Sequence, residues 1–462
     1  MTRFLAALVI NGLTSVVRGL SLGGQIGDRA SVFGQGAGNA LLNGTAFVVN
    51  FATTLLLSRL LGPDGFGAYA FAFSLALLLS VPARLGFTTM LVREITEYRL
   101  SESWGSVRGI LRRANQSVLI ASVVVCAVAA AYFSLIGWPE GDLHRPSLLA
   151  LPLVPLIAVT SVRQGVMQGF GRVVLGRAPE TAIMPAVLLV VAGVLSLGLG
   201  NRFSASWAVV AADVSGVVAV VVGIVFLRRV LPAEARSSTP DFETRRWAQA
   251  VRPLIVLSLV STAGGQLPTL LLGAFSDPSE VGIYNVAFRI AGVLPFLLIA
   301  MTPALMPAVV ELRTLERHDE LQRLLTRSAR IILLFTALIG LVAIAFATPL
   351  LQIFGSEFEG GETALRVLAI GHIASIACGL PGMVLMMTGD ANAMTMTFLA
   401  TTVVTLALAV ALVPGYGASG GAIATAAGLV ASNAIMSVIL YRRRGIYAPA
   451  LPLPRGLGSA ER

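Results

Sequence analysis

The chain alternates long apolar runs with short polar intervals. Twelve predominantly apolar runs lie at approximately 38–60, 66–90, 115–137, 147–170, 180–200, 206–228, 253–274, 281–309, 329–353, 362–388, 393–413 and 420–441. A helix needs about 20 such residues to cross the hydrocarbon core of a bilayer, so the pattern predicts twelve spanning helices. A membrane β-barrel would show alternating segments of about ten residues. These runs are long and continuous, and the expected fold class is all-α and polytopic.

The pattern also repeats. Pro63-Asp64-Gly65-Phe66-Gly67-Ala68-Tyr69-Ala70-Phe71-Ala72-Phe73 aligns without a gap on Pro278-Ser279-Glu280-Val281-Gly282-Ile283-Tyr284-Asn285-Val286-Ala287-Phe288, 215 positions later. The leucines Leu55–Leu57 and Leu270–Leu272 keep that offset, and Gly109-Ile110-Leu111-Arg112-Arg113 pairs with Arg323-Leu324-Leu325-Thr326-Arg327 at nearly the same one. A duplicated apolar unit is the usual construction of a membrane transporter. Six helices per copy is an even number, so the copies should be parallel repeats, six helices in 32–230 and six in 253–441. The polar interval 231–252 reads as a cytoplasmic linker, 442–462 as a cytoplasmic tail and 1–31 as a cytoplasmic extension. Phe4–Leu13 is apolar but too short to span, and no clear cleavage site follows it.

Composition agrees with a bilayer. Hydrophobic residues are 56% and charged residues only 12% of the chain, against roughly 25% charged in a soluble domain. The net charge is +10, and all 33 cations are arginine. Such an excess can mark a nucleic-acid binder, but here it falls in short segments between apolar runs. With the N-terminus inside, 26 arginines lie in cytoplasmic segments and only Arg59, Arg145 and Arg202 in outer loops. That is the positive-inside pattern. It places both termini in the cytoplasm of a cell whose inner membrane holds the protein, with no nucleic-acid partner. Val92–Arg113 and Glu311–Arg327 mix Arg, Glu and Leu at helical spacing and read as amphipathic helices on the inner leaflet. Cys126 and Cys378 and the three histidines are scattered, so neither a disulfide framework nor a metal or cofactor site is expected. No nucleophile–base pair or phosphate loop suggests an enzyme.

Several segments together resemble one family. They are Leu60-Leu61-Gly62-Pro63-Asp64-Gly65-Phe66-Gly67-Ala68-Tyr69; Gly169-Phe170-Gly171-Arg172-Val173-Val174-Leu175-Gly176 with Pro179-Glu180; Val281-Gly282-Ile283-Tyr284 with Ala287-Phe288-Arg289; Phe354-Gly355 through Arg366-Val367-Leu368; Leu385-Met386-Met387-Thr388-Gly389; and Tyr416-Gly417 with Gly420-Gly421-Ala422-Ile423-Ala424-Thr425. Their order and spacing from about residue 32 to 441 are similar to the O-antigen and exopolysaccharide flippases. These are a branch of the multidrug/oligosaccharidyl-lipid/polysaccharide exporter superfamily. The resemblance implies a V-shaped two-lobed transporter. It would move an undecaprenyl-pyrophosphate-linked oligosaccharide from the inner to the outer leaflet. Polysaccharide polymerase and glycosyltransferases are then the candidate protein partners.

Such a lipid carries a polar sugar and an anionic pyrophosphate. An isolated ion is prohibitively costly in hydrocarbon, so a carrier must offer fixed positive charge. Arginine stays charged and binds phosphate bidentately. The arginines inside apolar runs are therefore the candidate pyrophosphate ligands: Arg163, Arg289, Arg84 and Arg366. The competing reading for each is snorkelling to the interface. Depth favours substrate contact for Arg163 and Arg289, leaves Arg84 balanced and favours snorkelling for Arg366. Asp213 is the one acidic residue clearly inside a run. It could pair with an arginine, sense protons or snorkel, and structural pairing is the first expectation. Pro82, Pro155, Pro185, Pro268, Pro295 and Pro303 sit deep in runs, as hinges or as fixed kinks. Two other functions stay open: a cation-coupled drug or metabolite antiporter of the same superfamily, and a non-transporting scaffold for polysaccharide synthesis.

Overall fold

The computed structural model describes residues 29–447, 449 and 450. The extension expected at 1–31 lies largely outside the described residues. Among those described, regular structure is entirely helical.

The first copy runs α1 (Arg29–Arg84), α2 (Phe87–Leu100), α3 (Trp104–Ile136), α4 (His144–Leu149), α5 (Leu153–Gly169), α6 (Val173–Ala178), a π-helical turn Pro179–Ile183, α7 (Met184–Leu199) and α8 (Ala205–Val230). A short α9 (Ala233–Ser237) leads to α10 (Thr244–Phe275). The second copy continues with α11 (Pro278–Ala291), α12 (Phe296–Thr314), α13 (His318–Ala345), α14 (Ala347–Gln352), α15 (Glu362–Ala377), α16 (Pro381–Met387) and α17 (Ala391–Arg444).

Among the described residues six helices are individually long and apolar enough to span, and nine spans result when three bent pairs are joined. Two of the six are double. Gly62 breaks α1 with φ 65° and ψ −178°, and Gly417 breaks α17 with φ 51° and ψ −131°. The 32-residue α10 completes twelve. By its internal packing the chain divides into two compact units, in sequence between Gln266 and Leu267.

The repeat is written in backbone torsions. Glu102 and Glu316, 214 positions apart, have φ 54° and 56°, and the residues that follow, Ser103 and Arg317, share ψ 66° before α3 and α13. Gly200 (φ 52°, ψ −126°) and Gly417 make the same turn before the last span of each copy. Gly171 and Gly389 both adopt positive φ just after a span and before the next. A side chain is strained there and glycine is not.

Packing follows membrane rules. Large apolar side chains such as Leu135, Leu197 and Leu334 stand outward, where lipid solvates them. Buried hydroxyls bond back to their own helix: Thr53 Oγ1 donates to the Val49 carbonyl at 2.8 Å, and Ser122 Oγ to Val118 at 2.7 Å. These hydroxyls are thereby satisfied within their own helix. α5 is the buried centre of the first unit. Its Gly165 and Gly169 admit α2 so closely that an added Cβ would fall 2.6 Å from the Thr88 carbonyl and 2.7 Å from the Ile95 Cβ.

That contact corrects the two amphipathic segments. The segment 92–113 is not one leaflet helix. α2 buries Met90, Leu91, Ile95 and Tyr98 against protein, and α3 begins at Trp104 as part of a span. Residues 311–327 likewise divide between the end of α12 and the start of α13. The Arg–Glu–Leu spacing was helical in both, but the glycine stripe of α5, not lipid, covers the apolar face of α2.

The linker is ordered too. The Asp241 amide donates to the Gly105 carbonyl at 3.0 Å, and no side chain could replace Gly109, whose Cβ would overlap the Asp241 carbonyl. Trp247 is fully buried and donates from Nε1 to Tyr98 Oη at 3.0 Å, which donates to Glu243 at 3.2 Å. Arg246 reaches Glu94, Glu97 and Glu243 at 3.1, 2.9 and 3.0 Å and lies over the Tyr98 ring. Burial lifts the Tyr98 phenol to about 12.

Candidate functional site

The four arginines proposed as ligands do not share one fate. Arg163 lies on α5, its guanidinium donating from Nη1 to the Val159 carbonyl at 2.9 Å one turn back. Its stem packs on α8, where the Cβ that Gly223 lacks would stand 3.3 Å from Arg163 Cδ. It makes no ion pair among the described residues. The same bare position on Gly223 is 4.0 Å from Pro179, the residue before Glu180. Glu180 Oε1 in turn lies 3.9 Å from Arg84 Nη2. So α1, α5, the π-turn and α8 gather Arg84, Glu180 and Arg163 in one neighbourhood of the first unit.

The π-turn is what aims Glu180. Pro179 opens it and Pro185 follows it, both lacking the N–H an α-helix would use, and the helix widens over Pro179–Ile183. Such turns are rare and recur at functional sites. Arg84 is the last residue of α1, with 22% of its side chain exposed and its Nε buried without a partner. At 3.9 Å the contact with Glu180 is electrostatic and too long for a hydrogen bond.

Asp213 corrects an expectation. It forms no ion pair among the described residues, and its Oδ1 is buried without a partner. The geometry explains why Arg163 does not serve. Arg163 packs at Gly223, ten residues further along α8, and ten residues are about 15 Å of helix.

In the second unit, Arg289 is not in mid-helix. Its span breaks after Ala291 and bends by 51° before Phe296. Arg289 therefore occupies the last turn of a half-helix with its side chain exposed. The carbonyl end of a helix favours a cation there. Pro295 stands in this break. Arg366 stands apart: it is exposed, with Nη2 2.9 Å from Glu362 of its own helix and Nε 3.4 Å from the Ile344 carbonyl. That is a surface pair.

Sequence reading gave Glu180 no role. The available signal was its place directly after Pro179, as the carboxylate that opens the fifth apolar run. Among the described residues no three His, Cys, Asp or Glu side chains converge as a metal site would require.

Comparison with known proteins now bears on this arrangement. Residues 36–313 match the family described as "Polysaccharide biosynthesis protein", and residues 253–411 match the MatE family. The "Probable flippase AglR" of Haloferax volcanii is 26% identical over 198 residues, 42% of this chain and 40% of that one. The match thus spans about two fifths of that relative's length. Among solved structures, an inward-facing MATE-family multidrug transporter of the MOP superfamily superposes with TM-score 0.70 at 16% identity, covering 87% of this chain and 98% of the other. The lipid II flippase MurJ in an inward closed conformation gives TM-score 0.66 at 12% identity, covering 86% and 87%. A MOP superfamily transporter from Pyrococcus furiosus gives 0.56 at 15% identity, covering 88% and 96%. At these identities the structures speak to the fold, which is that of this transporter class; the family match speaks to membership. The chain belongs to the family described as "Polysaccharide biosynthesis protein".

Proposed function

We propose that the protein flips a polyprenyl-pyrophosphate-linked oligosaccharide across the cytoplasmic membrane for surface polysaccharide synthesis, by alternating access between lobes at 32–230 and 253–441. The observation that carries this reading is the placement of the intramembrane arginines. Arg163 spends its guanidinium on no carboxylate among the described residues, and Arg289 sits at the break of a discontinuous span. Broken spans are where transporters of other folds hold substrate ions, and a guanidinium kept inside a membrane is a functional device by default. Arg84 belongs with them as a third anion ligand. Arg366, already paired, is the weakest of the four. Both termini and the linker are placed in the cytoplasm on the arginine asymmetry, and polymerase and glycosyltransferases are the expected neighbours in the membrane.

The test is Arg289→Ala in a cell that depends on this protein for surface polysaccharide. Lipid-linked repeat units should accumulate on the inner leaflet while the variant still inserts and folds. Arg289→Lys should restore export only in part, because an ammonium keeps the charge but loses the bidentate fork. Normal surface polysaccharide in the Ala variant would remove Arg289 from the site.

A second reading, cation-coupled antiport, has its own support in Asp213, whose Oδ1 is buried and unpartnered, and in the MatE match over 253–411. Loss of cationic dye efflux in Asp213→Asn, with polysaccharide export intact, would favour it.

A further inference from the structure

We propose that Arg84 and Glu180 form a bipartite subsite for a glycosyl phosphate, Arg84 taking a phosphate oxygen and Glu180 accepting a hydrogen bond from a hydroxyl or amide N–H of the adjoining sugar. This rests on the flippase reading and assigns one part of the substrate head to named atoms.

Both partners have unspent capacity. Arg84 has five N–H donors, yet its guanidinium makes no hydrogen bond among the described residues, and its Nε is buried without a partner. Among the described residues Glu180 accepts no side-chain hydrogen bond either. Their one mutual contact is 3.9 Å, at side-chain exposures of 22% and 30%. A structural ion pair in such surroundings closes to hydrogen-bond distance, because desolvation is offset only by good geometry. Arg366 and Glu362, more exposed, do close, at 2.9 Å. The open pair leaves both ends available to a third group at the exposed parts of the two side chains.

That group must present an anion to Arg84 and a donor to Glu180 a few ångströms away. An isolated phosphate satisfies the arginine and is repelled by the glutamate. An organic cation does the reverse. A phosphate esterified to a sugar carries acceptor oxygens and neighbouring hydroxyl or acetamido donors in the required proximity. Two structural features hold the carboxylate for this task. The π-turn fixes Glu180 between Pro179 and Pro185, and Pro179 abuts Gly223 beside the Arg163 stem. Arg163 then offers a second cation close to the same neighbourhood.

The experiment uses the purified full chain in lipid nanodiscs and two probes: farnesyl diphosphate, and farnesyl diphosphate bearing one N-acetylglucosamine. Arg84→Ala should weaken both probes about tenfold, the loss expected when a charge-assisted hydrogen bond is removed. Glu180→Ala should weaken the sugar-bearing probe about tenfold while leaving farnesyl diphosphate unchanged or tighter, since a repelling charge has gone. Glu180→Gln should fall between, keeping an acceptor without the charge. An unchanged thermal midpoint in Glu180→Gln guards against misfolding. The proposal is overturned if both Glu180 variants change the two probes alike, which would make Glu180 a counter-charge only, or if Arg84→Ala changes neither. Failure of the wild type to bind either probe would instead sink the flippase reading. Binding of tetraphenylphosphonium, lost in Glu180→Gln, would turn the subsite over to organic cations.

Discussion

The two copies turn at the same places but hold those turns differently. Gly200 and Gly417 share torsions within a few degrees. Around Gly200 nothing would meet an added Cβ within 4 Å. At Gly417 the added Cβ would stand 2.3 Å from Glu280 Oε2, which accepts a hydrogen bond from the Ala418 amide at 2.5 Å and so caps the last span. The first copy has Gly65 where the second has Glu280. The linker and tail ends differ in the same way. The first unit is fastened by the Arg246 cluster and the buried Trp247. The second is fastened by its own tail: Gln322 exchanges two hydrogen bonds with the Tyr447 backbone, at 2.6 and 3.0 Å, and Arg330 and the Ala377 carbonyl bond Ala450, both at 3.1 Å. Duplication preserved backbone geometry, which only glycine or strain can supply. The side chains that secure it were free to diverge.

The sharpest way to test this contrast is at the paired glycines. Alanine at either position meets positive-φ strain of about 1–3 kcal/mol. Gly417→Ala must also displace the Glu280 cap, a further loss of about 1 kcal/mol. The thermal midpoint should therefore fall further in Gly417→Ala than in Gly200→Ala. Equal losses would mean that the cap contributes nothing and that the two turns are energetically one.

Next in size are the linker and tail fastenings. Arg246→Ala strands Glu94, only 2% exposed, beside Glu97 and Glu243. Stranding a buried charge costs about 3–5 kcal/mol, but Arg246 is 42% exposed and solvent screens part of that, so about 1–3 kcal/mol is expected. The added change Glu94→Gln should recover much of it. Gln322→Ala, which removes neutral hydrogen bonds to the tail, should cost about 1 kcal/mol. A larger effect in Gln322→Ala would reverse the ranking of the two fastenings.

The smallest effects are in pH, and they have opposite signs. Tyr98 holds its proton to about 12, above the ordinary phenol, chiefly through burial. A raised pKa means that its stabilisation is complete below pH ~10 and is lost as pH rises toward that value. Asp390, bonded by Arg444 and near Arg443, has its carboxyl held below the ordinary range, first by the Arg444 hydrogen bond. Its stabilisation is present above pH ~4 and fades as pH falls below it. Thermal midpoints across pH should show the wild-type advantage over Tyr98→Phe vanishing in alkali and that over Asp390→Asn shrinking in acid. Matching pH profiles for the two variants would contradict the assignment of distinct fastenings.

Much of this was legible in the chain. The twelve runs, their helical character and the repeat rest on hydrophobic length and local pattern, and lipid enforces both. Arg84 and Arg163 were legible as cations inside apolar runs for the same reason. Their convergence with Glu180 was not, because it depends on Gly223 admitting Arg163 beside Pro179 and on a π-turn that rotates the carboxylate. Asp213 read as a partner for arginine because sequence carries no axial distance between helices.

What the sequence by itself determined was which segments cross the bilayer, where the unit repeats and where the cations lie along each span. Backbone hydrogen bonds must be satisfied inside each span, so composition dictates the helix directly. Tertiary structure alone decided that α2 packs on the glycine face of α5, that the linker packs on α3 and that Arg84, Glu180 and Arg163 lie in one neighbourhood. Those outcomes depend on distances of a few ångströms between residues far apart in sequence, which close packing fixes and no local pattern encodes.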